Sequence, residues 1–231
     1  MYPKFVELTK GFGVPVNYGA LGLAYNKKVI ANPPKSWKEF ADGVIGGKYR
    51  AAIPHINYPI TALSELWLFA SLYGGGVDDI QPGLDIIKKM RDSGNLVFWN
   101  DSNEFPGLIK SGDVDIGMWF DGRTWALVDE GNPEISYVNP APGAVSNVAV
   151  IQKPKGASEL AWQFLDIMAS PGPQTCFGNL LQYGMTNTGT AFSAKVAPRI
   201  TKPDEIILPP FAEAPSRIGD WIEKWNKQIG G

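Results

Sequence analysis

Residues 14–37 read V-P-V-N-Y-G-A-L-G-L-A-Y-N-K-K-V-I-A-N-P-P-K-S-W. Val14–Tyr18 and Gly22–Tyr25 are two short β-forming runs on either side of a small-residue break. Asn26 and the pair Pro33-Pro34 then stop extended structure. Ser36, followed by Glu39 three residues on, opens a helix as an N-cap with its acid at the third position.

The pattern continues outward from there. Arg50–Pro54 reads as a strand ended by proline, and Thr61–Tyr73 as a helix closed by Gly74-Gly75-Gly76. Gln81–Asp92 is amphipathic, with Leu84, Ile87 and Met90 on one side and Lys88, Lys89 and Arg91 on the other. Strand Asn95–Trp99, helix Phe105–Ser111, strand Val114–Trp119 and helix Asp121–Glu130 follow. Ile135–Val138 and Val145–Ile151 are strands; Glu159–Ala169 and Pro173–Leu181 are helices. Thr186–Pro215 is polar and Pro-rich and reads as an irregular wrap before a last helix, Ser216–Gln228. Alternating strands and helices imply an α/β architecture with mostly parallel pairing.

Composition narrows the function classes. The chain has 231 residues, 44% hydrophobic and 19% charged, with a net charge of −2. That offers no basic field for nucleic acid and no polybasic handle for a membrane. Eight Trp, eight Tyr and eleven Phe are rich for a chain of this size; many are core, and the excess also suits a site that grips a small organic ligand. One His and one Cys leave no metal set, no disulfide and few nucleophile constellations. Cys176 is expected as a small buried hydrophobe and His55 as a structural residue. No run reaches the ~20 apolar residues of a membrane span, and the first residues lack the pattern of a signal peptide.

Several motifs together resemble the bacterial extracellular solute-binding proteins of ABC importers, nearest the spermidine/putrescine-binding branch. They are the 14–37 stretch, P-P-K-S-W-K-E-F (33–40), N-L-V-F-W-N-D-S-N (95–103) and S-G-D-V-D-I-G-M-W-F-D-G (111–122). N-P-A-P-G-A-V-S-N-V-A-V (139–150), W-Q-F-L-D-I-M-A-S-P (162–171) and Q-Y-G-M-T-N (182–187) complete the set. The resemblance implies a type II periplasmic-binding fold: two α/β lobes joined by hinge strands, a solute in the cleft, a permease partner in the membrane, a periplasmic or extracellular location, and no cofactor or metal. Residues 1–30 would be the hinge crossover and a remnant of lobe 1, 31–136 lobe 2, and 137–231 the return hinge and the rest of lobe 1. Relatives begin with about half of the first lobe, so either the chain is a trimmed form or a partner supplies those strands. A first lobe cut in this way would expose sheet edges and apolar surface, which favours dimerisation or strand exchange.

By that likeness the cleft is lined by Tyr18, Asn57, Tyr58, Thr61, Phe120, Asp121, Arg123, Asn147 and Tyr183. The polyamine branch places acids where this chain has Thr/Ser, Arg123 and Asn147. An Arg fork among amide and hydroxyl donors suits a carboxylate, phosphonate or sulfonate. An anionic or zwitterionic solute is the first expectation and a polyamine the second. A rival of another class is a carbohydrate-active or transferase-like enzyme using Asp113, Asp115 or Asp121. The pairs Asp113/Asp115 and Asp78/Asp79 otherwise read as solvated faces.

Overall fold

A computed structural model describes residues 1–58 and 64–230. In chain order its elements are α1 (Pro3–Thr9), β1 (Val14–Asn26), α2 (Trp37–Ile45), β2 (Ala51–Pro54), α3 (Glu65–Leu72) and α4 (Gln81–Asp92). Next come β3 (Leu96–Trp99), α5 (Phe105–Ser111), β4 (Ile116–Phe120), α6 (Asp121–Asp129), β5 (Ile135–Val138) and β6 (Ala144–Ile151). α7 (Leu160–Ala169), α8 (Pro171–Leu181), β7 (Gly184–Met185), β8 (Ile206–Ile207) and α9 (Ile218–Gln228) close the chain.

The break expected near Gly19 lies inside one continuous strand. β1 runs through the sheet order β3-β2-β4-β1-β6-β8, with β5 and β7 also paired to it. Its small residues are there for space. A Cβ on Gly22 would stand 2.3 Å from the Tyr137 hydroxyl, so only glycine lets that ring cross the strand. Pairing is mixed rather than mostly parallel. β2 lies parallel to β3 and β4, and β6 parallel to β8, but β1 is antiparallel to β4, β5, β6 and β7. A single long strand that β4, β5, β6 and β7 all return to meet, while β2, β3 and β8 join through those neighbours, gives this mixture.

β1 also divides its partners along its length. Val14–Leu21 pairs with β6 and residues 17–18 with β7; Leu21–Tyr25 pairs with β4 and Leu23–Asn26 with β5. The larger core packs α2, α3 and α4 on the second stretch, with Trp37, Phe40, Phe69, Leu84 and Ile87 fully buried. A smaller core under the first stretch joins Phe5, Tyr18 and Ile206. Ser36 caps α2 as expected, its hydroxyl accepting the Glu39 N–H at 3.1 Å.

Three expectations change. α9, read from the sequence as part of residues 137–231, packs on the larger core: Trp225 lies edge-on against His55 and Phe98, and Gln228 bonds Gln81 of α4. Its apolar face, Trp221 and Trp225, needs the larger core to bury it. Cys176 is exposed, because it sits on the outer side of α8. Asp115 is buried and receives the Arg50 backbone N–H at 2.9 Å and the Arg50 guanidinium at 3.3 Å, whereas Asp113 is exposed as expected.

Trp37 gives a direct check on this packing. It is fully buried, its indole N–H donates to the Gly143 carbonyl at 2.9 Å, and it meets Phe40 and Phe69 edge-on. Trp37→Ala is expected to lower unfolding free energy by roughly 3–5 kcal/mol in denaturant titrations. Trp37→Phe, which keeps most of the volume, should cost about 1 kcal/mol for the lost hydrogen bond.

Candidate functional site

The site is built around the point where β1 changes partners. Ala20 lies between residues 17–18, which pair with β7, and residues 21–25, which pair with β4. Its N–H is taken by Asp121 Oδ1 at 3.1 Å, and its carbonyl accepts from the Tyr137 hydroxyl at 3.0 Å. Asp121 opens α6 directly after β4, and the same Oδ1 also accepts the Gly122 N–H at 2.8 Å. Asp121 has no exposed surface, and its Oδ2 has no hydrogen-bond partner among the described residues. Burial pushes its carboxyl up to about 6, against the pull of the Ala20 and Gly122 N–H groups.

Tyr183 closes over this point. Gln182 ends α8 in a left-handed conformation at φ 57°, which turns the chain back toward α6. Gln182 is fixed there by donating to Asp129 Oδ2 and accepting from Arg199. Asp129 is held down to about 2 by Lys195 and Arg199, so this clasp between α6 and the C-terminal segment stays ionised. The Tyr183 ring then lies on Gly122, where a Cβ would sit 2.5 Å from it, and above Gly19 at 3.9 Å. Burial raises the Tyr183 hydroxyl pKa; Asp121 and Tyr58 add to the rise and Arg123 opposes it, so these four groups share one electrostatic environment.

Arg123 is half-buried. Its guanidinium donates to Ser102 Oγ and Asn103 Oδ1 and stacks 5.6 Å above the Trp119 ring. No carboxylate of the described residues lies within ion-pair distance of it. It also borders a groove of about 260 Å³ between α5 and α6, shared with Lys110 and Glu130. Tyr58 packs edge-on against Trp99 at 5.0 Å.

The sequence-derived set therefore divides. Asp121, Tyr58 and Arg123 each act electrostatically on the Tyr183 hydroxyl, and Asn147 lies opposite Gly19 in the β1–β6 ladder. Tyr18 does not join them: it is 1% exposed, stacks on Phe5 and donates its hydroxyl to the Thr201 carbonyl. Its neighbour Gly19 lies toward Tyr183, so the pleat turns Tyr18 to the opposite face. Phe120 packs against both large cores, and Asn57 is exposed in the turn after β2. Thr61 lies outside the described residues. Reading the sequence missed Tyr137, Gly122, and the Ser102 and Asn103 that hold Arg123. The run N-D-S-N marked a turn but not its partner twenty residues on.

Comparison with known proteins identifies the family and the fold. The model of a family described as bacterial extracellular solute-binding proteins matches residues 3–202. The thiamine-binding periplasmic protein of Escherichia coli K12 is 24% identical over 94% of this chain, and the chain spans 64% of that protein's length. An extracellular solute-binding protein from Bordetella parapertussis superimposes with a TM-score of 0.89 at 28% identity, covering 98% of this chain and 71% of its own. The periplasmic binding protein AgtB of A. tumefaciens R10, solved with agropinic acid, gives a TM-score of 0.71 at 21% identity, covering 97% and 72%.

Asp121 makes stability depend on pH in a defined direction. A carboxyl whose folded pKa lies near 6, above its unfolded value of 3.8, binds its proton more tightly in the native state. Its contribution therefore rises as pH falls through 6 toward 4 and is lost above 6. Asp121→Asn keeps an acceptor for the Ala20 and Gly122 N–H groups without the charge. Thermal melts at pH 8 and pH 5 should show a smaller difference in the variant than in the wild type, mainly because the variant is the more stable of the two at pH 8.

Proposed function

We propose that this chain, which belongs to the bacterial extracellular solute-binding protein family, captures a small anionic or zwitterionic solute beside Arg123, Tyr58 and Tyr183. It would do so as the binding subunit of an ABC importer, outside the cytoplasmic membrane. One observation carries the charge of the ligand: a half-buried guanidinium whose protein partners are neutral, on Ser102 and Asn103. A cation partly removed from water with no counter-ion favours an anionic group from outside. The family match and the likeness to transport proteins support capture rather than catalysis.

The division of β1 supports hinge closure. Residues 1–30, 31–136 and 137–217 would form the crossover, the second lobe and the return to the first, with α9 on the second lobe. Asp121 is completely buried, so the enzyme reading loses one of its three carboxylates as an accessible group. Asp115 is engaged by Arg50, and Asp113 stands on an exposed turn with Ser111. The reading carries three partners: the solute, a membrane permease and a second copy of the chain. No helix of the described residues is long and apolar enough to cross a membrane, and among the described residues no three or more His, Cys, Asp or Glu are grouped so as to hold a metal.

Polyamine binding is the second reading. The turn that holds Arg123 also carries Asp101 and Glu104, which now accept from the backbone N–H groups of Asn103 and Asn100. Carboxylates released from those bonds could receive ammonium groups.

A thermal-shift panel of amino acids, dicarboxylates, phosphonates, sulfonates, thiamine and polyamines separates these readings, since a solute that binds only the native state raises Tm. A saturable rise with an anion or zwitterion is expected. Arg123→Ala should weaken that solute about 10- to 100-fold, the worth of a charge-assisted contact. A rise with spermidine or putrescine that survives Arg123→Ala would replace the first reading with the second.

A further inference from the structure

Asp129 is the last residue of α6, where the negative end of the helix disfavours a carboxylate. It nevertheless gathers three partners. Its Oδ1 meets Arg199 at 3.0 Å, and its Oδ2 meets Lys195 and the Gln182 amide, each at 2.9 Å. Arg199 also donates to Gln182 Oε1 at 2.8 Å, which closes a ring of bonds. Its guanidinium lies 5.1 Å from the centre of the Trp125 ring, and the Trp125 indole N–H donates to the Arg199 carbonyl at 3.0 Å. Arg199 is the least exposed charge of the set, its side chain 17% accessible. A charge network with an aromatic backing is worth more than an isolated surface pair.

The partners come from the other half of the molecule. α6 sends Leu127 into the core that holds Trp119 and Phe105. The segment that follows α8 is tied elsewhere: Thr186 to the Pro15 carbonyl of β1, Asn187 to the Ala169 carbonyl of α7, and Asn179 of α8 to the Ala191 carbonyl. On the two-lobe reading, α6 lies in 31–136, and Gln182, Lys195 and Arg199 lie in 137–217. One other ion pair among the described residues joins those stretches, Arg217 with Asp78, and it sits where the chain enters α9 on the larger core. The ring also bears on Tyr183. Gln182, one residue before it, holds a left-handed backbone at φ 57° that a residue with a Cβ rarely adopts, and two bonds of the ring keep it there.

We propose that this ring is an ionic latch between the two lobes, with Asp129 the positioning residue for Tyr183: it holds when the lobes are together, and opening breaks it. The latch presupposes the hinge closure proposed above and takes nothing from Arg123 or from the nature of the solute. It makes the closed state sensitive to ionic strength, because its bonds are ionic and only partly screened from water.

The separation of the lobes can be read by pulsed dipolar spectroscopy on the 231-residue chain. One nitroxide goes on Cys176, exposed on α8, and the other on Lys88→Cys, exposed on α4. Unlabelled chain in excess removes coupling between molecules. Without solute, Asp129→Asn should lower the ratio of the short to the long separation about five- to tenfold, and Asp129→Glu should restore it. Raising NaCl from 0.1 M to 1 M, which shortens the Debye length from about 10 Å to about 3 Å, should move the wild type the same way and leave Asp129→Asn unmoved. The salt series needs no variant, so a variant that fails to fold does not rescue the latch. A distribution that Asp129→Asn leaves unchanged overturns it, as does a change that salt does not reproduce and Asp129→Glu does not reverse. If a solute of the thermal-shift panel shortens the separation while Asp129→Asn does nothing, the latch falls and capture stands. If Asp129→Asn lengthens it while no solute alters it, the latch stands and capture loses its support. A separation that nothing alters overturns both.

Discussion

One backbone position, Ala20, holds the molecule together in an unusual way. A strand in the middle of a sheet satisfies its N–H and C=O groups with its neighbours, and a buried group left without a partner costs on the order of 1–3 kcal/mol. On one side of β1 the neighbours are β7 and then β4, and Ala20 falls in the gap between them. A carboxylate and a phenol fill that gap: Asp121 takes the N–H and Tyr137 supplies the hydroxyl to the carbonyl. The chain can therefore continue as one strand from one set of partners to the next.

The rest of the site depends on that arrangement. Asp121 must be at the first position of α6 to reach Ala20, so α6 starts at the crossover and Gly122 comes to lie under Tyr183. Arg123, one residue later, is directed to the turn after β3, where Ser102 and Asn103 hold it against Trp119. At the far end of α6, Asp129 binds Gln182, Lys195 and Arg199, and so fixes the turn that delivers Tyr183. On the proposed reading, a ligand at Arg123 would sit on the helix that begins at the crossover, which would couple occupancy to closure.

Much of the fold was legible in the sequence because it rests on local signals. The Ser36 cap, the amphipathic α4 and the strands before Pro54 and Phe120 all announce themselves in a few residues. What failed was non-local. Gly19, Ala20 and Gly22 look like a break until Tyr137 and Tyr183, more than a hundred residues on, are seen to occupy the space above them. Tyr18 resembles a cleft residue in sequence, yet the strand's alternation turns it into the core beside Phe5. α9 follows a long wrap, and nothing in that wrap tells which core its two tryptophans will find. At the candidate site, Asp121, Arg123 and Tyr183 were named through the family likeness, while the residues that hold Ala20 and Arg123 beside them, Tyr137, Ser102 and Asn103, carry no signature of their own.

Amide hydrogen exchange, with and without the solute that gives the largest thermal shift, tests the central claim most directly. The account requires protection to concentrate at residues 19–22, at the start of α6 around Asp121–Arg123, and at Tyr183. Protection confined to other clefts, such as the one lined by Asn32, Glu39 and Lys48 beside α2, with the crossover unchanged, would contradict it.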